Sequence, residues 1–503
     1  MNLPMRWLIA IAVGLVAGRG TAADRPNVVV ILADDLGYGD LSCYGATKVR
    51  TPNLDALAAK GLWFTDAHCA AAVCTPTRYA LLTGQYAWRH PPAQNILSGV
   101  APLAIPLDRL TAPKLFREAE YATAAVGKWH LGLGEKAPDY NAEIKPGPRE
   151  VGFEYSFIIP ATGDRTPCVY VENGRVVNLD PADPIRVSYG EKVGTEPTGK
   201  ERPDLLTNQK PSQGHDGTIV NGISRIGFMT GGAKARWKDE DMADELTKKA
   251  VAFLDKNKGK PFFLYFATHG IHVPRCPHPR FRGKSEHGLR GDAIVELDWC
   301  VGEILATLDR LKLADNTLVL FTSDNGGVMD DGYQDGSGAD KSGHKCNGAL
   351  RGFKGGPYEG GTRIPMIARW AGKVPAGKTS GELVSSVDFL ATFAALTAQP
   401  LPDAAGPDSF DVSPALFAEK PARPCRETLT MQGRGIAVRK GTWKLVPAGP
   451  QQGGKTRPPE LYDLATDLSE TTNRAEKNPD KVKDLSALLD TLRTSGRSRP
   501  LSR

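Results

Sequence analysis

The 503-residue sequence contains no CxxC pair, no dense run of lysine and arginine, no internal repeat and no coiled-coil heptad. Each absence closes a class of function. Without cysteines at metal spacing, neither a structural zinc module nor a small disulfide scaffold is in view. A net charge of +6 with no basic tail gives no case for nucleic acid. Beyond the first residues, no apolar stretch reaches the length a bilayer requires, so no stable membrane span is expected in the mature chain. What remains is 41% hydrophobic and 24% charged, the balance of a soluble globular protein.

The N-terminus carries the parts of an export signal. Arg6 supplies positive charge, residues 7–17 form a short apolar run, and Gly20-Thr21-Ala22-Ala23 offers small residues for cleavage. Residues 1–23 are therefore expected to be a signal peptide, and the mature protein periplasmic or secreted. The alternative, an uncleaved anchor, is poorly served by so short a run. Export permits disulfides, but the eight cysteines (43, 69, 74, 168, 276, 300, 346 and 425) have a spacing that fixes no pairing.

From Arg25 onward the pattern alternates strand, polar loop and helix. Residues 27–32 (NVVVIL), 123–126, 261–267 (PFFLYFA) and 317–322 (TLVLFT) read as buried strands of a largely parallel sheet. Residues 53–61, 242–254 and 293–311 read as helices. Residues 176–210 look like a long surface excursion, and the Pro/Asp/Ala-rich stretch 401–424 like a domain boundary. Short strands at 428–431, 435–439 and 442–446, then a helix at 481–492, suggest a small antiparallel sheet with a helix. The expected class is α/β: a large, mostly parallel mixed sheet sandwiched by helices over residues 24–415, with a smaller α+β subdomain over 416–503.

Each buried strand ends in polar residues. The first runs into Asp34-Asp35 and the strand at 317–322 into Asp324-Asn325. The strand at 123–126 runs into Lys128 and His130, and the one at 261–267 into His269 and His272. Ligands of open α/β sheets bind at the carboxyl ends of strands, so these residues describe one rim. Asp34, Asp35, Asp324 and Asn325 offer only oxygen ligands, which suits calcium or magnesium and not zinc. Either pair alone reads as a turn or a helix cap.

The stretch Ala71-Ala72-Val73-Cys74-Thr75-Pro76-Thr77-Arg78, followed by Leu81-Leu82-Thr83-Gly84, has its own signal. Threonine caps helices and proline suits their first position, so Cys74 is expected at a helix N-terminus, where anions are favoured, with Arg78 one turn on. A lone cysteine there would ordinarily read as a buried structural residue.

With "ADDLGYGDLSCYG" upstream, and "GKWHLG", "SDNGG" and "FKGGPYEGGTRIP" downstream, the Cys-x-Pro-x-Arg element resembles that of the type I sulfatases of the alkaline-phosphatase-like superfamily. The resemblance covers nearly the whole chain from Arg25. It implies that Cys74 is oxidised to Cα-formylglycine by a formylglycine-generating or anaerobic sulfatase-maturating enzyme. It also implies one calcium ion held by Asp34, Asp35, Cys74, Asp324 and Asn325. Hydrolysis of a sulfate ester, on a small molecule or a glycan, would then pass through a covalent sulfo-enzyme. In the same reading Arg78 orients the nucleophile, Lys128 and Lys354 hold sulfate oxygens, His272 protonates the leaving alcohol and His130 takes the proton when sulfate is expelled. Thr162 and His215 are candidate substrate contacts, and His269 stands in reserve for His272. Arg275, Arg280, Arg282 and Lys284 could meet a polyanionic glycan or simply face solvent. Two positions depart from the commonest pattern: Thr77, where serine is usual, and Glu120, where glycine usually precedes Tyr121. Two other readings stay open, a phosphonate or phosphate-ester hydrolase of the same superfamily and a non-catalytic exported calcium- and glycan-binding protein.

Overall fold

In the computed structural model, which describes residues 25–339, 342–450 and 456–501, the run NVVVILA is buried at every position. The segment read as a signal peptide lies outside the described residues. Along this strand Val28, Val30 and Leu32 join one apolar layer, and Val29, Ile31 and Ala33 join the other. A strand apolar on both faces needs helices above and below it, and that requirement organises the molecule.

The main sheet has ten strands. In chain order they are β1 (Asn27–Ala33), β2 (Leu62–Phe64), β3 (Ala122–Lys128), β4 (Tyr155–Ile159) and β5 (Val171–Glu172). There follow β6 (Arg175–Val176), β7 (Phe262–Ala267), β8 (Thr317–Ser323), β9 (Met366–Arg369) and β10 (Lys378–Ser380). Side by side they run β10-β2-β9-β8-β1-β7-β3-β4-β5-β6. The five central strands β8, β1, β7, β3 and β4 are parallel, while β9 and β5 pair antiparallel at the flanks.

Helices cover both faces. On one side α1 (Pro52–Ala59), through Leu54 and Leu57, packs in the layer that holds Leu246, Phe253, Ile294 and Leu308. On the other, α2 (Cys74–Thr83) contributes Leu81 and Leu82, and α3 (Ala112–Glu118) Leu115 and Phe116. The long helices of the first face are α4 (Met242–Asn257) and α5 (Gly288–Arg310), and the second face is completed by α6 (Phe389–Leu396).

A second sheet follows, ordered β11 (Thr428–Gly433), β12 (Gly435–Lys440), β13 (Trp443–Val446) and β14 (Glu460–Asp463), all antiparallel. Helix α7 (Pro479–Thr494) covers one face through Leu485, Leu489 and Leu492. The other face, with Leu429, Met431 and Ala437, packs on Ala70, Ala80, Tyr86 and Val387. The α/β class and the small α+β unit are as expected.

One local expectation differs. Helix α2 starts at Cys74 itself, with Val73 at the cap position and no side-chain cap. The Thr75 hydroxyl instead donates to the His130 carbonyl at 2.9 Å, so Thr75 ties two loops together where a cap was expected. All eight cysteines are free thiols. No described helix is long and apolar enough to cross a membrane.

Candidate active site

Strands β8, β1, β7 and β3 are neighbours, so the residues that follow them gather at one end of the sheet. Ala33 pairs with Ser323, which sets Asp34-Asp35 beside Asp324-Asn325. Asp34 N–H donates to the Gly270 carbonyl, and Ile271 N–H to the Asp34 carbonyl, each at 2.9 Å, so the loop carrying His272 is stitched to the acidic turn. Asp35 adopts a left-handed backbone, φ 61°, a conformation that strands rarely contain and sites often do.

The four Asp and Asn residues among the candidate metal ligands are fully buried. Asp324 Oδ2 accepts from Arg78 Nε and Nη2 at 2.9 and 2.7 Å, and Arg78 Nη1 donates to the Lys128 carbonyl at 2.9 Å. Lys128 Nζ donates to Asp34 Oδ2. Asn325 Nδ2 donates to Asp35 Oδ1 at 2.7 Å, and Lys354 Nζ to Asp35 Oδ2 at 2.8 Å. Two oxygens are left over: Asp34 Oδ1 and Asn325 Oδ1 are buried without a hydrogen-bond partner. Burial, then the neighbouring Asp324 carboxylate, pushes the Asp34 pKa well up despite Lys128 and Arg78. Orphaned buried oxygens beside crowded carboxylates call for a cation, and an oxygen-rich donor set fits a hard one. Among the described residues, ligand atoms of Asp34, Asp35 and His272 lie within 4.8 Å of one another. Asp324, expected as a direct ligand, has its Oδ2 taken up by Arg78.

Beside this centre is a cavity of about 90 Å³. Cys74, His272, Lys354 and Asp331 line it, together with Asp164, Arg165, His215 and two apolar residues, Ile96 and Ile226. Cys74 is 1% exposed; burial raises its thiol pKa, while Lys128 and Lys354 pull the other way. Lys354 also donates to Asp331 at 2.7 Å, and its two carboxylate partners outweigh burial to hold it firmly charged. Burial opposes the ionisation of Asp35, yet Lys354 and His272 hold its carboxyl well below the usual range.

The two histidines are set in defined tautomers by backbone carbonyls. His272 Nδ1 donates to the Val273 carbonyl at 2.7 Å, leaving Nε2 3.7 Å from both Asp35 and Asp331. His130 Nε2 donates to the Leu97 carbonyl at 2.8 Å, and its Nδ1 is buried without a partner. Burial, reinforced by nearby lysines, lowers both pKa values well below 6.5. His269 is occupied differently: its Nε2 accepts the Gly163 N–H at 2.9 Å, and burial lowers its pKa to about 4. That ring holds the loop after β4 in place.

Of the candidate substrate contacts, His215 lines the cavity, 3.0 Å from Asp164 through Nε2. Burial would lower its pKa, but the Asp164 hydrogen bond and charge raise it. Thr162 does not line the cavity; its hydroxyl bonds Asp164 and accepts from Arg165. Lys128 and His130 likewise do not line the cavity. Arg275 is buried on Asp335 and the Val328 and Met329 carbonyls, so it is structural, while Arg280 pairs with Asp244 on the outer surface. Asp164, Arg165 and Asp331 were missed from sequence. The signal for the first two was "TGDR" just past β4, and Asp331 was one aspartate in a polar loop.

The chain is similar to known proteins along nearly its whole length. The family model described as Sulfatase matches residues 26–399. An N-acetylgalactosamine-6-O-sulfatase of Bacteroides thetaiotaomicron is 50% identical over 487 residues, 94% of each chain. Human arylsulfatase A is 34% identical, covering 94% of this chain and 87% of its own length. A solved structure, described in connection with the metabolism of multiple glycosaminoglycans by Bacteroides thetaiotaomicron, superposes with a TM-score of 0.90. It is 50% identical, with 94% of this chain and all of that one covered.

Proposed function

This chain belongs to the sulfatase family, and from that premise we propose that it hydrolyses the 6-O-sulfate of N-acetylgalactosamine in sulfated glycans. The observation that carries the substrate is the 50% identity, sustained over 94% of both chains, with an enzyme named for that reaction.

Cys74 is the residue assigned to maturation into formylglycine, whose hydrated aldehyde supplies the attacking hydroxyl. Asp34, Asp35 and Asn325, with Asp324 completing the acidic cluster, would hold calcium, whose charge acidifies that hydroxyl and offsets the sulfate's. The chain's own side chains do the rest. Arg78 holds Asp324 in place through two hydrogen bonds to one carboxylate oxygen. Lys354 presents its ammonium to the sulfate in the cavity, and Lys128 supports Asp34 from behind. His272, its Nδ1 fixed on Val273, delivers a proton from Nε2 to the departing sugar oxygen. His130, with Nε2 fixed on Leu97, has Nδ1 free to accept a proton when sulfate leaves. Asp164, Arg165 and His215 face the alcohol side, where a carboxylate beside a guanidinium suits sugar hydroxyls. Export of the mature protein is part of the same proposal and rests on the N-terminal pattern alone; N-terminal sequencing of secreted protein tests it.

Sulfate release from N-acetylgalactosamine-6-sulfate, its 4-sulfate isomer, and nitrophenyl sulfate and phosphate tests the reading. The 6-sulfate should lead the sugars and the phosphate should trail. Preference for the 4-sulfate would refute the substrate, and preference for phosphate would refute the sulfatase chemistry of this site.

A further inference from the structure

The stretch 432–434, at the end of β11, lies some 360 residues after the nucleophile loop, yet it is bonded to both loops that deliver reacting groups. Ala72 N–H, two residues before Cys74, donates to the Gln432 carbonyl at 2.6 Å, and Gln432 N–H returns to Ala70 at 3.4 Å. Arg434 N–H donates to the Gly355 carbonyl at 2.9 Å, next to Lys354. Gly355 N–H in turn donates to the Ala72 carbonyl at 2.7 Å, so the two loops are joined to each other as well. The Gln432 side chain extends the contact: its Nε2 donates at 2.9 Å to Gln94, two residues before Ile96 of the cavity wall.

Gly433 sits at the closest approach. A Cβ there would lie 2.7 Å from Pro357 N and 2.8 Å from Gly356 C, both backbone atoms that no rotamer change can move. Its backbone is not in the left-handed region, so the side-chain volume alone would be the fault. The second sheet is anchored against sliding by buried charge: Lys444 on β13 bonds Glu359 and Glu470, each at 2.8 Å, and Glu359 is five residues past Lys354.

We propose that the strand end Gln432–Gly433–Arg434 is a positioning clamp for the sulfate site, holding the Lys354 loop at a fixed distance from the Cys74 turn. Gly433 is its key residue. This rests on the proposed roles of Cys74 and Lys354. Filling the space at Gly433 pushes the Lys354 loop outward, and a shift of about 1 Å in a positioned group costs on the order of 100-fold in rate.

The test is a double-mutant cycle on sulfate release, with folding followed by circular dichroism and thermal melting. Gly433→Ala is expected to fold and to lose about 100-fold in kcat with a smaller change in KM. Because the clamp acts through Lys354, the same substitution in a Lys354→Ala background should cost less than about threefold, since residues acting as a unit are non-additive. A near-normal rate for Gly433→Ala, or a full further loss in the Lys354→Ala background, overturns the clamp. If Gly433→Ala does not fold, Arg434→Pro, which deletes the donor to Gly355, goes through the same cycle with the same criteria. Full activity of Lys354→Ala alone would instead refute the role of Lys354, a different outcome from additivity.

Discussion

At the scale of single residues, two imidazoles with similar burial differ in which nitrogen the backbone occupies, and their proposed tasks follow from that. His272 keeps Nε2 available between Asp35 and Asp331, while His130 keeps a buried Nδ1 without a partner. A general acid matters most when the leaving group is poor, so His272→Ala should cost about 10²–10⁴-fold on a sugar sulfate. On nitrophenyl sulfate it should cost under about tenfold. Equal losses on both substrates would remove His272 from the role. The pH dependence follows from the lowered pKa of His272. The free enzyme carries the needed proton only toward acid, so kcat/KM for the sugar sulfate should fall as pH rises through the region below 6.5. For the nitrophenyl ester that alkaline fall should be absent, and superimposable profiles would contradict the assignment. His130 and His272 were legible in sequence because each follows a buried strand at a short fixed distance. Asp164, Arg165 and Asp331 were not, because irregular loops bring them in and no periodicity marks which of several aspartates turns inward.

At the scale of elements, the strands predict better than their ends. The run 27–32 is a strand to Ala33, and 317–322 a strand to Ser323, because β-branched residues buried on both faces have one way to be satisfied. The short strands β2, β9 and β10 were invisible: a stretch of three or four residues carries too little pattern, and tertiary pairing defines it. The helix begins two residues before Pro76, since tertiary contacts of Thr75 outweigh its capping tendency. The strand ends together make the metal prediction. Chelation should abolish turnover and lower the melting temperature, both restored by calcium, because a ligand of the native state stabilises it. Asn325→Ala is the cleaner variant. Asp324→Ala would also strand the buried Arg78 guanidinium, a cost of about 3–5 kcal/mol unrelated to metal. The calcium needed for half-activity should rise at least about tenfold in Asn325→Ala, which is about 1.4 kcal/mol of binding. An unchanged calcium requirement would show that Asn325 is not a ligand.

At the scale of the whole molecule, two sheets are fastened by an apolar face and by the buried cluster around Lys444. One ammonium serves two acids there: Glu359 is held low by Lys444 and Arg363 against burial, while burial raises Glu470. Lys444→Met should lower unfolding stability by about 3–5 kcal/mol at neutral pH, where both acids are left without it, and by less at acid pH, where they protonate. Denaturant melts at both pH values check this, and a penalty independent of pH would rule out the charge explanation. The architecture thus brings the Cys74 turn and the loops carrying Asp164, His272 and Lys354 around one small cavity. In the proposed function, position 74, once matured, does the chemistry on a sulfate ester. The most direct measurement is sulfate release from N-acetylgalactosamine-6-sulfate, set against the fraction of residue 74 converted to formylglycine, read by peptide mass spectrometry on the same samples. Turnover should be proportional to that fraction and absent in Cys74→Ala, with the fold retained. Full turnover from wholly unconverted protein, or from Cys74→Ala, would contradict it.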